Sequence, residues 1–469
     1  MPSLPPAVSS AFRLQSSFRD PGGFLYRKEG TLYRQINHSY RPHFEQFLSS
    51  GLYEELLKEE RIIPHEEAGL HLAFSKDEAF KILRPLPLSF VSYPYEWCFS
   101  GLKDAALLLL RLQKNALLKG LTLKDASAYN IQFQKGKPLL IDTLSFEIYR
   151  ENDPWVAYRQ FCEHFLAPLA LMSFNDARLS GLFLSNPEGI PLDLAGKLLP
   201  WRSFFNIPLL LNLRLHAMAQ KNRASETTSG KKKSWKLSKR GLFNLIENLE
   251  TAILSLKPPK ESSAWSQYHE SQSYTFQGFQ SKQEIVSRFL LKTKGETLWD
   301  LGANAGFFSE TASRQYSHVL ALDADPAATE VSYQKNCKTR NLPVLPLVIN
   351  LLHPSPAVGW QNKETSTLEA RGPADTLLAL ALIHHLAITG SVPLHQLAEF
   401  FSKTGRFLII EFVPKSDLQV KRLLSSRTDI FPHYHRQEFE RVFRNYFEIH
   451  AVEKVKESER CLYLMRKIA

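Results

Sequence analysis

Leu298-Trp-Asp-Leu-Gly-Ala-Asn-Ala-Gly-Phe-Phe-Ser309 carries an apolar run directly into a glycine-punctuated turn and then into a helix-forming stretch. Next along the chain, His318-Val-Leu-Ala-Leu-Asp323 is a second apolar strand, and it ends in a carboxylate. Glycines let backbone approach a ligand, and an acid at the end of the next strand is placed to receive ribose hydroxyls. The pair therefore describes a nucleotide-type pocket at the carboxyl edge of a parallel sheet. Gly302 and Gly306 lack the Cβ atoms that would block a ligand, and Asn304 tolerates positive φ. A helix starting near Phe307 would turn unpaired backbone N–H groups towards the pocket. Asp325 competes with Asp323, but Asp325-Pro326 reads as a helix start with proline in its first turn, which leaves Asp323 for the ligand.

Further strands near 344 to 349, 375 to 380 and 406 to 412 alternate with helical stretches, which predicts a parallel sheet covered on both faces. With the spaced acid and this alternation, Asp300-x-Gly302-x-Asn304-x-Gly306 resembles the S-adenosylmethionine site of class I methyltransferases. Asn304 stands where a third glycine is more common. The resemblance implies a Rossmann-like α/β fold with a parallel sheet of the seven-stranded type and helices on both faces. It also implies S-adenosylmethionine as cofactor and methyl transfer as activity. It would place Asp300 near the methionyl amine, Gly302, Asn304 and Gly306 along the cofactor, Asp323 on the ribose hydroxyls and Asn350 at the adenine amino group. His384 and His385 follow the fourth-strand region, whose end faces the transferred methyl. They are candidates for a general base or a positioning group, against the plainer role of closing the loop. Glu411, at the end of the strand Phe407 to Ile410, is a further catalytic candidate, with a structural carboxylate as the alternative. Trp360 is either a pocket wall or a core indole. Lys282 either reaches the cofactor carboxylate or is a solvated helix lysine.

A chain of 469 residues is too long for one core, and about 150 residues per domain suggests two or three. With 44% hydrophobic and 22% charged residues it has the composition of a soluble globular protein. The net charge of +11 is mostly dispersed; its one dense run, Lys231-Lys232-Lys233 with Lys236, Lys239 and Arg240, reads as a solvated loop. Nucleic acid is accordingly not expected as a partner. Cys98, Cys162, Cys337 and Cys461 show no metal-ligand spacing and read as reduced thiols. No apolar run reaches the roughly 20 residues of a membrane crossing, and no signal-peptide pattern opens the chain. The expectation is a cytoplasmic enzyme with no membrane partner, no bound metal and a small-molecule acceptor; its oligomeric state is left open.

The first part of the chain reads differently. A hairpin over residues 23 to 36, a helix from His43 to Glu60, short strands at 72 to 74, 80 to 83 and 89 to 93, and a buried helix capped by Ser100 and ending at Gly120 follow in turn. Then come Asp125 and Asn130 in one loop and, after the strand-like Pro138-Leu-Leu-Ile, Asp142. This spacing resembles the catalytic loop and metal-binding strand of kinase-like phosphotransferases, making the three residues a candidate nucleotide or metal site. The resemblance is degenerate: no glycine-rich loop and no Val-Ala-x-Lys precede it, Lys124 stands before Asp125, and Asp142-Thr-Leu replaces Asp-Phe-Gly. The plainer alternative is that Asp125 and Asn130 cap or turn a loop. The paired prolines Pro258-Pro259 mark a boundary. Residues 1–257 are thus expected to form an α+β acceptor-recognition domain, 258–270 a linker and 271–469 the methyltransferase domain. Two rival functions remain at this stage: a kinase-like phosphotransferase with a regulatory methyltransferase-like domain, and a non-catalytic S-adenosylmethionine-binding protein.

Overall fold

The strands β1 (Phe12–Arg13), β2 (Gly23–Lys28) and β3 (Thr31–Asn37) form an antiparallel meander, and β2 turns into β3 at Glu29-Gly30, both with positive φ as a tight hairpin turn requires. With β4 (His65–Ala68) and β5 (Ala79–Pro85) they make a sheet of order β1-β2-β3-β5-β4. The computed structural model describes residues 11–214, 237–259, 274–339, 341–425 and 428–468. The Lys231–Lys236 part of the basic run and most of the expected linker lie outside the described residues.

The helix expected from His43 to Glu60 is two helices, Arg41–Ser49 and Leu52–Lys58, parted by Gly51 at φ +72°. The strand expected at 72 to 74 is a 3-10 turn, Leu70–Leu72, and residues 89 to 93 form no strand. The long buried helix is Phe99–Leu118, with Cys98 rather than Ser100 at its N-cap. It is followed by two ribbons, β6 (Leu121–Leu123) with β9 (Phe146–Ile148), and β7 (Ile131–Gln134) with β8 (Lys137–Leu140). Helical segments then run to Lys239–Ser255, which packs along the long helix.

Among these segments the buried His164 accepts the Ala128 N–H at 3.3 Å, and burial lowers its imidazole pKa to about 4 from 6.5. The unfolded chain therefore takes up a proton between pH 6.5 and about 4 that the folded chain does not. This contribution to stability is complete above pH 6.5 and is lost as pH falls through that window, by about 3 kcal/mol. Thermal midpoints measured from pH 7 to 4 should fall, and the slope should be shallower in His164→Gln; equal slopes would remove His164 from the account.

The second half holds a seven-stranded sheet: β10 (Thr297–Leu301), β11 (His318–Asp323), β12 (Val344–Val348), β13 (Ala374–Ala379), β14 (Gly405–Phe412), β15 (Phe447–Lys454) and β16 (Cys461–Lys467). Their order is β12-β11-β10-β13-β14-β16-β15. The first five are parallel, but β16 runs antiparallel to both β14 and β15, so the sheet is mixed rather than wholly parallel. Strand order reverses between β10 and β13, and the carboxyl ends there open the crevice in which such sheets bind ligands.

The two halves share one core. Phe90 meets Trp299 edge-on at 5.6 Å, and Phe133 meets Tyr333 at 6.3 Å. Arg371 forms a buried ion pair with Glu96 at 2.5 Å.

Candidate active site

At the end of β10 the chain turns by means of Gly302, whose φ is +74° and whose N–H donates to the Leu322 carbonyl at 2.8 Å. A Cβ here would come within 3.1 Å of Leu382. Asn304, at φ +49°, donates its backbone N–H to Asp323 Oδ2 at 2.7 Å, while Asp325 N–H donates to Asp323 Oδ1 at 2.8 Å. One carboxylate thus fastens both the turn after β10 and the start of the next loop. Burial raises its pKa above the usual carboxylate value, although these backbone donors oppose the shift. The Asp325 side chain instead accepts from Ala327 N–H at 2.9 Å and caps the helix Pro326–Ser332.

Gly306 serves packing. A Cβ there would lie 2.4 Å from Ser332 Oγ and 2.7 Å from Asn336 Nδ2, so its bareness lets the helix Phe307–Ala312 approach its neighbour. Asp300 is buried and accepts from Ser309 Oγ at 2.6 Å. Neither residue lines the cavity beside the turn, whereas Gly302, Asn304, Asp323 and Asn350 do. The exposed Asn350 holds its own loop by accepting from Leu352 N–H at 3.0 Å.

This cavity measures about 980 Å³ and runs along the carboxyl ends of the strands to His384 and His385. The two rings lie 4.2 Å apart, and the buried His384 Nδ1 has no hydrogen-bond partner among the described residues. Burial lowers the pKa of both, and the cations Arg460 and, for His384, Lys282 add to it, so both imidazoles are neutral at pH 7.

Beside them lies a charge network that the sequence alone does not assemble, and its Tyr274, Lys282 and Arg460 line the same cavity. Glu411 is 0% exposed and pairs with Lys282 at 3.0 Å and Arg460 at 3.5 Å. It also accepts from the Tyr274 hydroxyl and, at 2.9 Å, from the Ala381 N–H. Arg460 in turn donates to Tyr274 at 2.8 Å and holds Asp417 with two bonds at 2.8 and 3.1 Å. Burial alone would raise the Glu411 pKa, but Lys282 and Arg460 hold it below the usual range. Lys282 is therefore not a solvated helix lysine. It lies within the helix Phe276–Lys292, 1% exposed, with Nζ 5.0 Å from the Tyr274 and Phe308 rings. Trp360 is 65% exposed and is neither a pocket wall nor a core residue.

In the first half the structure gathers Asp125, Asn130 and Asp142. Asp125 Oδ1 accepts from Ser127 N–H at 2.9 Å, Asn130 donates to Ser145 Oγ at 3.5 Å, and that hydroxyl donates to Asp142 at 2.7 Å. Burial, and then the negative Asp142, raise the pKa of Asp125. Arg34 on β3, which the sequence pattern did not single out, forms an ion pair with Asp142. Among the described residues no group of three or more His, Cys, Asp or Glu side chains is arranged to hold a metal ion, and no helix is long and apolar enough to cross a membrane.

The sheet order, the glycine turn after β10 and the acid closing β11 together define the fold of class I S-adenosylmethionine-dependent methyltransferases. The chain belongs to the family of nodulation protein NoeA: it is 35% identical to NoeA of Rhizobium meliloti (strain 1021) over 434 residues, covering 91% of this chain and 90% of the relative. No protein-family model matches the chain. Among solved structures, the N-methyltransferase NodS from Bradyrhizobium japonicum WM9 is 11% identical, with 42% of this chain and 99% of that one covered and a TM-score of 0.32. Magnesium protoporphyrin IX methyltransferase ChlM from Synechocystis PCC 6803, with bound SAH, is 17% identical over 41% of this chain and 84% of that one, with a TM-score of 0.29. At these values the fold assignment rests on strand order and site geometry.

Proposed function

We propose that the chain transfers a methyl group from S-adenosylmethionine to a small-molecule acceptor. The observation that carries this reading is the cavity of about 980 Å³ at the strand ends, lined by the Gly302 turn, the Asp323 carboxylate and two neutral imidazoles. The residues present fit the cofactor: Gly302 leaves backbone open to it, Asp323 offers carboxylate oxygen to ribose hydroxyls, and Asn350 stands beyond β12 at the adenine end. When bound, the cofactor supplies an electrophilic methyl on sulfonium sulfur. Asp300, engaged with Ser309, braces the turn from behind rather than meeting the methionyl amine. His384 or His385, neutral at pH 7, accepts the proton that an acceptor hydroxyl or amine loses on methylation. Glu411 positions them: its grip on Ala381, a non-glycine residue held at φ +49°, sets the loop that delivers both rings.

Calorimetric titration with S-adenosylhomocysteine tests the reading. Asp323→Ala should weaken binding by about 1 to 3 kcal/mol, the range for a lost charge-assisted hydrogen bond. Because the Asp323 pKa is raised, wild-type affinity should begin to fall at a pH above the usual carboxylate range as the group gains its proton. A folded Asp323→Ala that binds as tightly as wild type would move the ribose contact elsewhere.

A further inference from the structure

The α/β half does not enclose the cavity alone. Phe99, Asp176, Ala177 and Arg178, from the first half of the chain, and Pro258 and Pro259, just beyond it, also line it. Their place follows from what they pack against. Ala177 opens the 3-10 turn Ala177–Gly181, which rests on the helix Pro326–Ser332, and that helix begins shortly after Asp323. Phe99 begins the long helix Phe99–Leu118, and the next residue, Ser100, donates its N–H to Glu330 Oε2 at 2.9 Å and its hydroxyl to the other oxygen. One turn further on, Asp104 accepts from the Tyr333 hydroxyl at 2.9 Å and pairs with Lys338 at 2.9 Å. Glu330 lines the same cavity. The wall from the first half is therefore fastened to the flank that carries Asp323.

A further part of the lining comes from the second half. There His385 and Thr389 are joined by Gln419 and Arg422 from the helix Leu418–Ser425, which packs on the turn His385–Thr389.

We propose that the first half of the chain forms part of the cofactor site, with Phe99, Ala177 and Arg178 covering the adenosine end. This rests on the methyltransferase reading of the cavity. Phe99, Ala177 and the two prolines offer apolar surface to a purine nucleoside, and the Asp176–Arg178 ion pair at 2.5 Å lies at its rim. The same half that was expected to recognise the acceptor thereby acts on the donor.

Calorimetry on the full chain with two probes, S-adenosylhomocysteine and adenosine, tests the proposal. Ala177→Trp should weaken both by about tenfold or more, the effect of overfilling a packed site, with an unchanged thermal midpoint. If wild type binds S-adenosylhomocysteine and a folded Ala177→Trp binds both probes equally well, the proposal is overturned and the methyltransferase reading stands. If wild type binds neither probe, that reading fails and takes the proposal with it. Hydrogen exchange on unmodified protein supplies a readout independent of any variant's folding: S-adenosylhomocysteine should slow exchange of amides in residues 176–181, and unchanged rates there beside slowed rates at 302–304 would overturn the proposal.

Discussion

Glu411→Ala should destabilise the protein by about 3 to 5 kcal/mol, because it leaves the ammonium of Lys282 buried without its carboxylate. Lys282 is 1% exposed and Glu411 0%, so little water reaches the pair even though Lys282 borders the cavity. Arg460 keeps Asp417, which places the uncompensated charge chiefly on Lys282. The same substitution frees the Ala381 N–H and with it the left-handed bend before His384 and His385. Glu411→Gln, which keeps an acceptor for that N–H but removes the charge, should recover only part of the stability. Urea denaturation gives the comparison. A loss below about 1 kcal/mol, the size typical of exposed pairs, would show that the network is hydrated rather than sealed.

Arg371→Ala should cost a similar amount, about 3 to 5 kcal/mol, for the same reason at a different place. Glu96 is fully buried, and Arg371 reaches both of its oxygens at 2.5 and 2.9 Å. Without the guanidinium, the carboxylate keeps the Ser355 hydroxyl and the Tyr93 N–H at 2.9 Å, two neutral donors against a full charge. The variant also loses stacking, since Arg371 Cζ lies 4.6 Å from the Phe90 ring centroid and 4.8 Å from that of Tyr93. Arg371→Lys should recover little, because an ammonium offers neither the two-pronged donor set nor the flat face. Since this pair joins the two halves, the first half should lose its protection from hydrogen exchange together with the second. A variant as stable as wild type would show that the shared apolar core holds the halves together without the ion pair.

The pattern around Leu298–Ser309 was legible because it depends on neighbours in sequence. An apolar strand, a residue that must adopt positive φ and a helix start each need only a few consecutive side chains, and Asp325-Pro326 reads as a helix start on the same grounds. The second half's five parallel strands were visible through their spacing. The hairpin of β15 and β16, whose β16 pairs antiparallel with β14, was not, since an edge hairpin after a parallel sheet carries no mark of which strand it will join. Gly306 looked like a ligand glycine; its Cβ position is filled by Ser332 and Asn336, residues that the sequence does not place beside it.

Lys282 and Arg34 show where local reading ends. A lysine on an amphipathic helix is ordinarily solvated, and what makes Lys282 buried is a carboxylate more than a hundred residues away, on β14. Arg34 acquires its meaning from Asp142, a residue in another part of the first half. The chain's own order of residues was enough for the type of pocket, the strand that opens it and the acid that closes it, because backbone conformation and short-range capping follow from local chemistry. Which charges are buried, which segments wall the cavity and how the histidine loop is braced depend on desolvation and pairing between distant segments, and those energies exist only once the chain has folded around them.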